Sequence, residues 1–169
     1  VARGAYDFWI VKTDSSGNIE WDKRFGFDRN NDFTFVLQTK DKGFILTGSS
    51  ESGVCADKSQ PAKNGNYNCW IIKVDSSGNK EWDKTYGDSK GNGAQTVVET
   101  NDGGYLVGGI MRTDSGDSDF WIIKLDHKGN KMWNMHYGGN KSDRLRSLIP
   151  TSDNAYLLAG ISDSDSSGN

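Results

Sequence analysis

The chain has 169 residues, a net charge of −3 from 20 Lys and Arg against 23 Asp and Glu, and only 34% apolar residues. Lysine and aspartate interleave along it, so no basic face offers itself to nucleic acid, and no apolar run approaches the roughly 20 residues that cross a bilayer. Its 21 glycines and two prolines, with Ser, Asp and Asn around short aromatic and β-branched runs, speak against a helical protein and predict an all-β fold with many turns.

The first predicted strand lies in "YDFWIVKTDSSGNIEWDKRFG" (6–26), a phrase that returns as "NCWIIKVDSSGNKEWDKTYG" (68–87) and "DFWIIKLDHKGNKMWNMHYG" (119–138). Trp9, Trp70 and Trp121 are equivalent, and so are Trp21, Trp82 and Trp133, always twelve residues later. Between them Gly17-Asn18, Gly78-Asn79 and Gly129-Asn130 mark a tight turn in which Gly supplies a positive φ. Asp14, Asp75 and Asp126, ahead of that turn, are expected to accept its backbone N–H groups. A third strand ("AQTVVET" in the second copy), a turn at "NDGG" and a fourth strand ("YLVGGI") complete the unit. Here Phe44, Tyr105 and Tyr156 match, as do Gly48, Gly109 and Gly160.

Short strands between Gly, Asn and Asp turns predict antiparallel hairpins. Periods of 61 and then 51 residues, with four strands in each, predict three four-stranded units of a β-propeller-like array. The expected division is a first repeat over 1–50, an inserted loop over 51–69 and a second repeat over 70–110. Residues 111–169 then hold a linking loop, a third repeat and the start of a further one. Known rings close with about four to eight blades. The chain is therefore expected to be a fragment of a longer array, or half of a homodimer that completes a six-bladed ring.

The inserted loop carries both cysteines, and a disulfide between Cys55 and Cys69 is predicted, which implies an oxidising compartment; two unpaired buried thiols are the alternative. Binding tends to reside where a rigid scaffold varies. The loop residues Lys58, Gln60, Lys63, Asn64 and Tyr67 are accordingly the first candidates for a contact surface. The six tryptophans sit at positions that never depart from the repeat, which assigns them to blade docking rather than to a sugar platform. "DSGDSD" offers Asp114, Asp117 and Asp119 as hard oxygen ligands for Ca²⁺, against the reading of a solvated acidic turn. "DRNND" offers Asp28, Asn30 and Asp32, but Phe33 stands where a calcium loop needs Gly. His127 and His136 assemble no nucleophile–base set, and no phosphate loop or HExxH occurs, so a non-enzymatic protein is expected.

The stretches "DFWIVKTDSSGNIEWDKRFG", "TKDKGFILTGSS" and "DKSQPAKNGNYNCWIIKVD" resemble a repeat of secreted and surface proteins of Bacteroidota, many of them type IX secretion substrates. The resemblance covers the chain. It implies a propeller-like domain, an extracellular or cell-surface location, and an adhesin-like or scaffold role within a larger protein. The ligand would be a surface glycan or a protein. A carbohydrate-binding module, or an accessory domain of a secreted hydrolase, is the alternative. The D-x-x-G-N-x-x-W spacing is similar to the docking motif of quinoprotein-type propellers with one residue fewer, so quinone binding is not implied. The acidic stretch typical of such repeats is reduced here to "GFDRNND", "GDSKGNG" and "GGNKSDR".

Overall fold

A computed structural model describes residues 6–26 and 29–165, so the predicted start of a further repeat lies in part outside the described residues, as does Asp28. Twelve strands follow one another: β1 (Phe8–Thr13), β2 (Ile19–Phe25), β3 (Asn31–Gln38), β4 (Phe44–Ser50), β5 (Asn68–Val74), β6 (Lys80–Tyr86), β7 (Asn92–Glu99), β8 (Tyr105–Arg112), β9 (Ser118–Leu125), β10 (Lys131–Tyr137), β11 (Asp143–Pro150) and β12 (Tyr156–Ser162). Every pairing is antiparallel. Among the described residues the only helical piece is a 3-10 turn at Lys63–Gly65.

The turns form as the residue types require. Asp14 Oδ1 accepts the N–H groups of Ser16 at 2.8 Å and Asn18 at 2.9 Å, and Asp75 and Asp126 repeat the arrangement. Hydrogen bonds from Asn18, Asn79 and Asn130 hold the three carboxyls below the usual carboxylate range. The glycines that follow have φ of +85°, +78° and +76° at Gly17, Gly78 and Gly129.

The grouping of strands corrects the expectation of three four-stranded units. Two sheets are four-stranded, in the orders β3-β4-β5-β6 and β7-β8-β9-β10, and two are two-stranded, β1-β2 and β11-β12. Each four-stranded sheet takes its first two strands from one sequence repeat and its last two from the next. The tryptophan strand pairs with the last strand of the repeat before it, with Trp70 opposite Gly48 and Trp121 opposite Gly109. Glycine is required there: a Cβ on Gly48 would lie 2.1 Å from the Asp32 carbonyl oxygen and 2.6 Å from Phe8 Cζ.

The core lies between successive sheets. Phe8 and Phe25 of the first sheet pack on Leu46, Trp70, Ile72 and Val74 of the second. The opposite side of β5 places Cys69 and Ile71 against Trp121, Ile123, Leu125 and Val107 of the third. Leu106 and Ile122 meet Leu148 of the fourth. With neighbours on both faces, β5 is buried along its whole length and reads as a continuous apolar run broken by Lys73. That ammonium is paired with Asp41 at 2.9 Å and Glu81 at 3.0 Å.

Outer strands lock onto the next sheet through the repeated motif. Trp21 Nε1 donates to the Ser76 carbonyl at 3.1 Å, and its ring lies over Gly78. The Trp82 ring lies over Gly129, and the Tyr86 hydroxyl donates to the Gly129 carbonyl.

Candidate functional site

The connection between β4 and β5 folds back over the cleft between the first and second sheets. Cys55 and Lys58 close it into a turn by exchanging backbone hydrogen bonds, Cys55 N to Lys58 O at 3.0 Å and the reverse at 3.3 Å. The segment is then pinned to both walls. The Gly26 N–H donates to Asp57 Oδ2 at 3.4 Å. Lys80 Nζ donates to the carbonyls of Ala56 and Asp57, and Ser59 N donates to Asp83 Oδ2 at 2.9 Å. Gln60 receives the Thr85 N–H at 2.9 Å.

Lys58 corrects the first expectation for this loop, since it is fully buried rather than a contact residue. Its ammonium sits 5.1 Å from the Trp70 ring centroid and 2.5 Å from Thr85 Oγ1. Burial pulls its pKa down to about 8, with Asp83 opposing the shift. The predicted disulfide is absent, and Cys55 and Cys69 are free thiols. The reason is the register of β5, which turns Cys69 into the core facing the third sheet, and burial pushes its thiol up to about 12.

Of the other loop candidates, Gln60, Lys63 and Asn64 are exposed and Tyr67 is half-buried. Asn64 adopts φ +53° within the 3-10 turn. Tyr67 lines a polar cleft of about 350 Å³ together with Asn66, Lys90, Gln95 and Arg112. Lys90 is paired there with Asp114 at 2.5 Å. Lys90 and Arg112 were not legible as site residues, because each lies at the end of an ordinary strand or turn.

The calcium candidates are not gathered. Asp114 is held by Lys90, Asp117 accepts from Ser115 at 2.9 Å, and Asp119 is buried. Among the described residues no group of three or more His, Cys, Asp or Glu is placed to hold a metal ion.

The tryptophans divide by position. Trp70 and Trp121 are buried between sheets, Trp21 and Trp82 cap the next turn, Trp9 is exposed on the first sheet, and Trp133 is exposed on β10, the outer strand of the third. Trp9 Nε1 donates to Asp22 at 3.0 Å and Trp70 Nε1 to Asp83 at 3.2 Å. His127 and His136 are exposed.

No protein-family model matches the chain, and comparison with curated proteins finds no match.

Proposed function

We propose that the chain is a non-enzymatic binding and scaffold segment of a larger secreted or cell-surface bacterial protein, adhesin-like and exported by the type IX route. The observation that carries the binding role is the polar cleft under Tyr67, built where the chain departs from its own repeat. An aromatic ring surrounded by Asn66, Gln95 and Arg112 suits hydroxyl-rich ligands and favours a carbohydrate. The sheets act as propeller-type blades offset by half a repeat from the sequence period. What supports this is that β7 packs against both β3 and β11 while the tryptophan–glycine locks fix each outer strand to the next sheet. In a homodimer the two half-sheets of one copy complete those of the other, giving six blades; further repeats in a parent chain would complete them equally.

A glycan array with wild type and Tyr67→Ala tests the binding role. The expected result is a defined glycan class whose signal falls at least tenfold in the variant, with an unchanged melting temperature. Binding that ignores both Tyr67→Ala and Arg112→Ala would move the site elsewhere. Antibody labelling of intact cells tests the location, and label that appears only after lysis would overturn it.

A further inference from the structure

The cleft between the first and second sheets has a counterpart between the second and third, and the two are furnished differently. In the first, Asp57, Lys58 and Ser59 of the long loop fill the space against Gly26, Trp70, Lys80 and Asp83. The repeat maps these wall residues onto Gly87, Trp121, Lys131 and Asn134. All four line an open cleft of about 220 Å³, which Lys63 and Met111 also border. The connection that would fill it is short, Thr113–Asp117, and closes on itself through Thr113 N to Asp117 O at 2.9 Å.

The built-in tenant of the first cleft shows what such walls bind. Its acceptors meet the wall's donors, the Asp57 carboxylate taking the Gly26 N–H and the Ala56 and Asp57 carbonyls the Lys80 ammonium, while its donors, the Ser59 N–H and the Lys58 ammonium, meet Asp83, Thr85 Oγ1 and the Trp70 ring. The wall's own acceptor is Asp83, which takes the indole N–H of Trp70, the N–H of Ser59 and the Lys80 ammonium. In the open cleft that carboxylate is replaced by the amide Asn134, and Trp121 Nε1 is buried with no partner. The donors are retained and the negative charge is lost. An orphaned buried N–H is costly and is best met by an incoming acceptor.

We infer that the cleft between the second and third sheets binds the carboxylate of a small acidic molecule, on the Trp121 indole N–H and the Lys131 ammonium. Asp88 also lines the cleft, but its Oδ1 is held by the Lys90 N–H at 2.9 Å. The space admits a ligand of the size of a sugar acid or a dicarboxylate. This cleft adjoins the Tyr67 cleft at Asn92, which lines both, but its donors are different residues and it does not depend on the reading of that cleft.

The test is a titration of the ¹⁵N-labelled chain with sodium succinate, with sodium glucuronate, and with glucose as a neutral control, following the assigned Trp121 indole resonance. The expected result is a saturable downfield shift with at least one acid and none with glucose. A response to glucuronate alone identifies a sugar acid as the source of the carboxylate, and a response to succinate identifies the carboxylate itself as sufficient. Asn134→Asp recreates the internal acceptor found in the other two repeats, and it should weaken binding at least tenfold while leaving the fold intact. An indole resonance unmoved by both acids, or moved equally by glucose, would overturn the inference. So would an Asn134→Asp chain that binds as tightly as wild type.

Discussion

Cys69 occupies the place that Phe8 and Phe120 hold in the other repeats, and a neighbour makes up the lost volume. Met111, which packs against the same cluster, stands where the other repeats have Ser50 and Ser162. A small-for-large exchange on one strand is balanced by a large-for-small exchange on another, as close-packed interiors require. The clue was present in "NCW" set against "DFW", but spacing alone made the two cysteines read as a bridge. Thiol labelling should therefore modify Cys55 rapidly in the native chain and Cys69 only in denaturant. A native mass showing a closed disulfide would contradict this. Lys58 was equally opaque, because a loop rich in Lys, Asn and Ser reads as solvated. Its folded pKa of about 8 lies below the unfolded value of 10.5, so from pH 8 to 10.5 the unfolded chain holds a proton that the folded chain has released. Stability owed to this residue rises with pH over that window. The unfolding free energy of wild type minus that of Lys58→Met, from denaturant melts, should rise accordingly, by about 3 kcal/mol at most. A flat difference would mean that Lys58 is hydrated.

At the scale of the element, the turn that follows each tryptophan strand was fully legible, because Asp, Gly and Asn recur at fixed offsets. What it touches was not. Gly17 and Gly129 share a left-handed conformation, but a Cβ on Gly17 meets nothing within 4 Å, whereas one on Gly129 would lie 2.7 Å from the Trp82 ring. Gly17→Ala should therefore cost only backbone strain, about 1 kcal/mol. Gly129→Ala should cost two to three times as much, since the ring must also be displaced. Equal losses in thermal or urea melts would show that the tryptophan lock is not a stabilising contact. Strand existence was likewise readable from period-2 runs, but strand partnership was not. A repeat has no marked beginning, and the phase at which sheets divide it is set by Gly48 and Gly109 accepting the next tryptophan strand.

At the scale of the molecule, the β1-β2 and β11-β12 sheets are halves of the same design. The pairing of Gly48 with Trp70 and of Gly109 with Trp121 predicts that Gly160 pairs with Trp9 of a neighbour, bringing Ala159 opposite Ile10. Trp9, Val11, Phe33 and Val36 line an apolar groove of about 350 Å³ on that open side, and Leu157 and Ile161 are exposed on the other. Sedimentation of this chain should show dimers that grow with concentration, and cysteines at 10 and 159 should cross-link between copies. A monomer at high concentration would exclude copy-to-copy completion. The candidate site was the least legible level. Asn134 differs from Asp22 and Asp83 in plain view, but its meaning depends on knowing that the Trp121 indole nitrogen is buried without a partner and that a loop fills the sister cleft.

The half-repeat offset has a consequence for how such a protein changes over time. A cut in the chain between β4 and β5 separates two repeats without separating any sheet, since the β4–β5 ladder crosses the cut. Fragments nicked by a protease in the Glu51–Tyr67 connection should stay together until denatured. By the same token, loss or duplication of one whole repeat, whatever its starting point, rejoins equivalent strands and leaves every ladder with a partner. Copy number is thus free to drift by single units while the architecture stays sealed at each junction.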